Sequence, residues 1–486
     1  MMNEYIPLIE QDGITSKIIR VMIEDHKPDH DRTVRLYERY KASAAGVPIL
    51  TRKPIKFEDV KGEKIARIDD KVNNKINNAF DAEIADTKVG YLFGSPVTYN
   101  ADKEKGLAET ISDFNKRNNV EDADSELGKK ATICGYGARL LYIDPDGNES
   151  TMTVNPWESI ILSETDDITN PKYALRYYKT FSWGGNGTNP DEKIDIYNAD
   201  FYDGSIVYHF ESEDGADYLL KDKRTHMFDY CPLFGVPNNQ EMKGDAEKVL
   251  PLIDAYDRTL SDVSNEIEQY RLAYLVAKGA FLDEEDQQNM KQTGVINLDD
   301  KDQDVNYLTK DLDDDIIEHS LNRMEENILR FAKSVNFSDD SFGTTITGVA
   351  MRYKLMALEH KAITMERKMT AGLRYQFKVL CSAWAKKRLA QPDDYLQIDF
   401  QFKRNLPDDI LSDAQASVAL KGVVSEQTRL GLLPFVTNVQ EEMDRMREDA
   451  IRAAENVYGP DTLPNNQNKG DGEDEGTRTA GEGNAD

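Results

Sequence analysis

Residues 245–279, DAEKVLPLIDAYDRTLSDVSNEIEQYRLAYLVAKG, carry apolar side chains at Val249, Ile253, Tyr256, Leu260, Val263, Ile267, Tyr270 and Tyr274. The steps alternate between four and three residues, the period of one face of an α-helix. The opposite face holds Asp254, Arg258, Asp262, Asn265 and Gln269. Such a rod is about 52 Å long and has a single stripe to bury. Pro251 falls near its start, where the missing N–H is tolerated. A second stripe follows within 314–335, at Ile317, Leu321, Met324, Ile328, Phe331 and Val335. Its acidic start and its late cations, Arg330 and Lys333, match the helix dipole, with Glu326 on the polar side. The module between the rods, 280–313, has two strand-like runs around the acidic turn Asp299, Asp300, Lys301 and Asp302. If that module is compact, the two rods run antiparallel. Two arrangements then cover their faces. One is a bundle within the chain, with 348–391 as a third member. The other repeats the pair around an axis, so that flanks of neighbouring copies meet.

The third helical run, 348–391, places Met351, Leu355, Leu358, Met365, Met369, Leu373, Leu380 and Trp384 on one face. Its methionines read as core packing. It predicts a helix of about 60 Å. Before it lies NFSDDSFGTTIT, residues 336–347, a glycine-spaced acidic loop. Gly343 and Gly348 have the GxxxxG spacing of a phosphate-binding loop, but Val349 and Ala350 stand where Lys and Ser or Thr would have to reach phosphate and magnesium. The loop is therefore not a nucleotide site. Its glycines allow backbone movement against the rigid helices. Asp339 and Asp340 carry negative charge, and Ser341, Thr344 and Thr345 offer weak hydrogen bonds, with Asn336, Phe342 and Thr347 completing the segment.

Elsewhere the pattern predicts helices over 31–45 and 71–93, the latter from Val72, Ile76, Phe80, Ile84, Val89 and Leu92. Residues 130–235 are rich in tyrosine and β-branched side chains broken by PDGN, GGNGTNPD and EDGAD, which predicts antiparallel strands and a hairpin turn at Asp144–Asn148. A strand is expected within 392–410 and helices around 411–422 and 425–458. The tail 459–486 lacks large apolar residues beyond Leu463 and is expected to be disordered. The fold class is α+β.

The chain has 486 residues and no apolar run approaching a membrane span, and its N-terminus lacks the layout of a signal peptide. Cys134, Cys231 and Cys381 form no CxxC pair, which argues for a reducing compartment and against a disulfide framework or zinc site. A formal net charge of −29 opposes tight nucleic-acid binding and suits a protein that works beside DNA without adhering to it. His26 and His30 are separated by Pro28, expected to break the helix, and no HExxH glutamate accompanies them. The sequence Asp144-Pro-Asp146-Gly147-Asn148 lacks the glycine and glutamate positions of a calcium loop and reads as a turn. No catalytic residue, metal or cofactor is expected. An enzyme with a β-domain and a helical domain, or a helical scaffold protein, are the alternative classes.

Four segments carry a resemblance to a known family: DTKVGYLFGSPVTYN (86–100), GDAEKVLPLIDAYDRTLSD (244–262), DDSFGTTITGVAMRYKLMALEHK (339–361) and KRNLPDD (403–409). In this order they resemble the portal proteins of tailed bacteriophages, of the type found in siphophages of Gram-positive hosts. The resemblance covers roughly residues 30–455. It implies a dodecameric ring at the unique capsid vertex, a channel for double-stranded DNA during packaging, retention and ejection. It further implies a peripheral wing at 1–244 joined by a strand at 392–410, stem helices at 245–279 and 314–335, and a clip at 280–313. The long helix 348–391 would lie under the wing, with a crown at 411–458. Residues 336–347 would be the tunnel loop. The implied partners are terminase and a head-completion adaptor at the clip, with capsid and scaffolding proteins at the wing; the implied location is the virion, after assembly in the host cytoplasm.

Overall fold

Side-chain period decides the element type over most of the chain, and the exceptions lie where another segment supplies the hydrogen bonds. The computed structural model describes residues 3–53, 57–58, 64–65, 72–101, 106–184, 189–270, 274–278, 304–308, 314–336, 348–405, 410–433, 436 and 439–458. The chain divides into two units, Met1–Leu406 and Pro407–Asp486. The first begins with α1 (Tyr5–Asp12), α2 (Ser16–Tyr40), the two-residue strands β1 (Phe57–Glu58) and β2 (Lys64–Ile65), and α3 (Phe80–Phe93). Next come β3 (Thr98–Asn100), α4 (Leu107–Asn118) and α5 (Val120–Cys134). A run of strands follows: β4 (Tyr136–Ile143), β5 (Glu149–Val154), β6 (Ser159–Leu162), β7 (Tyr173–Trp183), β8 (Asn189–Tyr202), β9 (Ile206–Ser212), β10 (Leu219–Thr225) and β11 (Leu233–Pro237). The unit ends with α6 (Leu250–Tyr270), β12 (Tyr274–Lys278), β13 (Asp304–Leu308), α7 (Asp314–Ala332), α8 (Gly348–Lys386) and β14 (Asp399–Gln401). The second unit contains α9 (Ile410–Leu420), α10 (Glu426–Gly431) and α11 (Val439–Tyr458).

All pairings between these strands are antiparallel, as the α+β reading requires. Strands β10-β9-β8-β7-β6 form one sheet and β11-β4-β5 another. Alternation sorts the first sheet's two faces. Leu175, Phe201 and Phe210 pack with Ile19 and Met22 of α2, while Ala174, Tyr202 and Val207 pack toward Leu140 and Leu233 of the second sheet. The expected β4–β5 hairpin forms, and its turn is built as the residues dictate: Asn148 N–H donates to the Asp144 carboxylate at 2.8 Å, and Gly147 takes a left-handed φ of 84°. The largest core surrounds α8, whose Leu355, Leu358, Met365, Met369, Leu373, Leu380 and Trp384 are all buried against α3, α4, α5 and β11. Its internal Gly372 leaves room for Val236 of β11. Strand β14 pairs with β3, so the segment after α8 returns to the N-terminal part of the unit.

Several sequence expectations are corrected. Residues 72–79 are not helical, because Asn74, Ile76 and Asn78 give their backbone N–H groups to side chains of α6. Residues 130–134, expected to begin the β-region, form the last turn of α5. The rod expected to reach Gly279 is helical only to Tyr270, since Tyr274–Lys278 pairs with Asp304–Leu308 and finds its hydrogen bonds there. Of the two strand-like runs expected in the module, 304–308 is β13; the other, 294–298, lies outside the described residues. Helix α2 passes through Pro28 without ending, because both of its halves are anchored, by Ile19 and Met22 before the proline and Thr33, Leu36 and Arg39 after it. His26 is buried and hydrogen-bonds the Tyr177 hydroxyl at 2.8 Å, while His30 faces Asp31. The helical pattern 425–458 is split into α10 and α11, with Leu430, Leu433 and Val436 forming a small core of their own.

The junction between α5 and β4 depends on Gly135, at φ 97°, where a Cβ would run into the Met242 carbonyl. Gly135→Ala should therefore cost more than the roughly 1–3 kcal/mol of left-handed backbone strain alone. Gly147→Ala, where the same strain meets no neighbouring atom within 4 Å, should cost only that. Denaturant unfolding of both variants checks the difference; equal losses would refute the contact.

Candidate functional site

Val249, just before α6, and Ile253 are buried as the apolar stripe predicts, but the same row continues into α6 with two buried residues that the stripe does not predict, Asp257 and Ser261. The last two are polar because residues 72–79 lie against them. Asp257 accepts from the backbone and the side chain of Asn78 at 3.1 and 2.7 Å. The Ser261 hydroxyl accepts from Ile76 N–H at 3.0 Å, and the Asn265 carbonyl from Asn74 N–H at 2.7 Å. Burial pushes the Asp257 carboxyl above its ordinary range. Asp254 is reached by Arg39 at 2.8 Å, and Arg39 also grips Asp81 of α3 through two nitrogens, at 2.9 and 3.2 Å. Burial works against that guanidinium's charge, but the two carboxylates more than restore it. Asp262 pairs with Arg52 at 2.5 Å, and Arg258 is exposed. Much of that polar face thus holds the N-terminal part of the chain.

Helices α6 and α7 return on one another, since Val249 just before α6 and Ile253 in its first turn pack with Ile328 and Ala332 at the end of α7, with Phe80 and Ile84 of α3 beside them. Above this core sits a buried charge cluster. The Asp245 carboxylate lies 2.7 Å from Lys361 of α8 and 3.3 Å from Lys88 of α3, and accepts from the Asn238 amide at 2.8 Å. Burial alone would raise the Asp245 carboxyl, yet Lys88 and Lys361 outweigh it and hold the group below its ordinary range. Burial lowers Lys88, with Asp245 acting against the shift. Lys361 also donates to the Ala332 carbonyl at 2.7 Å, capping the last turn of α7.

That cap lies at the root of the connection between α7 and α8. Lys333 takes a left-handed φ of 53°, and Ser334 N–H returns to the Leu329 carbonyl at 2.9 Å, ending the helix. Asn336 turns back to Glu325, its amide 3.3 Å from the carboxylate. Asp339, Asp340, Ser341, Phe342, Gly343, Thr344, Thr345 and Thr347 lie outside the described residues, as do Asp299, Asp300, Lys301 and Asp302; Gly348 is the first residue of α8. Glu326, Arg330 and Lys333 are exposed, with Arg330 donating to Asn327 at 2.9 Å.

Sequence reasoning missed Arg39, Asp81, Lys88, Asp245 and Lys361 as a group. Their partners are far apart in the chain; the one local signal is Lys88, a cation within the apolar run VGYLF and its flanks.

The first unit thus combines an antiparallel helical pair, a small two-stranded β-element between them in the chain, a 39-residue helix and two larger antiparallel sheets. The chain belongs to the family described as phage portal protein, SPP1 Gp6-like, whose model matches residues 19–456. It is similar to the portal protein of Bacillus phage SPP1, 25% identical over 458 residues, covering 90% of this chain and 87% of the relative. It is also similar to the portal protein of Clostridium phage phiCD119, 21% identical over 400 residues, covering 79% and 86%. The chain is thus a structural component of the virion with a portal function in DNA packaging and head–tail connection, and nothing in these likenesses favours the enzyme or scaffold alternatives. No helix among the described residues is long and apolar enough to cross a membrane.

Asp245→Asn should destabilise the fold by about 3–5 kcal/mol at pH 7, because two ammonium groups lose their buried counter-charge. A carboxyl held below its unfolded value contributes fully above about pH 4 and loses that contribution as pH falls through the folded value. The gap between wild type and variant should therefore shrink in acid. Denaturation followed by circular dichroism between pH 3 and 7 checks this, and a constant gap would count against the cluster.

Proposed function

We propose that copies of this chain close into a ring, of twelve in the virion, whose axis is the DNA channel at the unique capsid vertex. The observation that carries this reading is the apolar surface that one copy leaves uncovered on its long helices. Leu260 and Val263 of α6 are only half-buried and Ile267 is 54% exposed; Ile316 and Phe331 of α7 are 66% and 54% exposed, and Tyr353 of α8 is 72% exposed. These side chains recur along the elements that would stand side by side in neighbouring copies, and association would remove them from water. The within-chain bundle does not cover them.

In this reading α6 and α7 are the stem, and the clip around β12 and β13 docks terminase during packaging and the head-completion adaptor afterwards. The first 244 residues form a wing toward capsid and scaffolding proteins, with α9, α10 and α11 in the crown. Assembly takes place in the host cytoplasm. Residues 336–347 meet the passing duplex. Their carboxylates and hydroxyls suit contacts that are frequent and easily broken, since a tight phosphate grip would stall transit. Energy comes from the terminase, because Val349 and Ala350 replace the residues a phosphate-binding loop needs.

Negative-stain images of the purified protein should show rings with a central hole; particles of one chain at every salt and protein concentration would refute the ring. Shortening the segment 337–347 should leave rings intact and lower the DNA packaged per particle. Loss of rings would instead place that segment in the assembly contacts.

A further inference from the structure

Charge is distributed unevenly along this chain. Helix α8 carries eight lysines and arginines against two glutamates, in a protein whose formal net charge is −29. Both glutamates are already engaged: Arg404 lies 2.8 Å from Glu359 and 2.6 Å from Glu366. Lys361 is spent on Asp245, and Lys386 on Asp229 at 2.6 Å. Of the other six cations, Lys368 donates to Gln240 at 2.9 Å, and Arg367, Arg374 and Lys378 form a row, the first two exposed and the third half-buried over the Tyr230 ring at 4.3 Å. These positions are seven and four residues apart and share one helix face. Exposed Thr364 and Ala371 lie between and beside the cations and keep the face low.

Helix α7 presents the opposite charge. Asp315, Glu318 and Glu326 are exposed on one side of it, with exposed Asn322 between them. Among the described residues, none of Asp315, Glu318, Glu326, Arg367 and Arg374 has a charged partner. Arg374 lies over the Phe400 ring, 5.9 Å from its centroid. The two rows match in length. Asp315 to Glu326 and Arg367 to Lys378 each span eleven residues, about 16 Å of helix. Set antiparallel, Asp315 meets Lys378, Glu318 meets Arg374 and Glu326 meets Arg367, each within one residue of register. Antiparallel packing also opposes the helix dipoles favourably.

We infer that the basic row of α8 docks on the acidic row of α7 in a second copy of this chain. This rests on the ring reading and gives it a specific contact. Copies that each carry a charge of −29 repel one another, and association needs local complementarity where surfaces meet. A duplex would require cations on α8 but no matching acidic row on α7, so a second copy accounts for both faces and DNA for only one.

The test is a charge swap read by sedimentation and negative stain, with circular dichroism as the folding control. Arg367→Glu with Arg374→Glu should stay folded while ring formation at about 0.1 M salt weakens by about tenfold or more. Adding Glu318→Arg and Glu326→Arg to the same chain should restore rings. Rings formed by the Arg variant as readily as by wild type overturn the inference, and so does failure of the swapped chain to recover. Intact rings that retain less DNA would assign the row to nucleic acid and likewise overturn it. Should the glutamates unfold the chain, Arg367→Gln with Arg374→Gln must weaken assembly more at low salt than at high salt; equal effects overturn it. Wild-type protein that never forms rings would refute the ring reading itself, an outcome distinct from wild-type rings that ignore the variants.

Discussion

The contact between Asp245 and Lys361 holds together three parts of the first unit that the chain visits at very different times. Asp245 stands just before α6, Lys361 is in the middle of α8, and the same ammonium group closes the final carbonyl of α7 at Ala332. Lys88 brings α3 to the same carboxylate. A net charge buried this deeply is stable only while its partners stay in place. The start of α6, the end of α7 and the middle of α8 are therefore fixed relative to each other.

Other buried polar groups work in the same way. Arg139 of β4 donates to Asp124 of α5 at 2.7 Å and to the Gln376 carbonyl of α8 at 2.8 Å, all within the core. Arg39 joins α2, α3 and α6. Such groups add little net stability over well-packed apolar residues, because desolvation offsets the Coulomb gain. Their effect is on choice: an arrangement that separates them leaves a charge unpaired in the interior, which is costly. Apolar packing around α8 supplies the cohesion, and the ionic contacts define where α8 lies.

The surface follows a different economy of charge. Among the described residues many acidic side chains are exposed, which favours repulsion between separate copies. Helix α8 carries a local excess of cations, of which some are paired within the chain and others are exposed. In the ring proposed above, this arrangement would repel DNA in general and leave specific places where like-charged copies meet.

What could be read directly from the chain was whatever depends on side-chain period and local turn chemistry. The stripe of α8, the β4–β5 hairpin with its Asp144–Asn148 turn, and helices α6 and α7 in outline all belong here, because burial of one face forces that spacing. The bounds of α6 and the extended path of 72–79 were not legible, since their hydrogen bonds come from partners about 30 and 190 residues away. Asp257 and Ser261 look like a wet face in sequence and are buried in the fold for the same reason. Composition fixed the excess of negative charge, but only tertiary structure decided which charges cancel. An ion pair depends on distance through space, and separation along the chain carries almost no information about that.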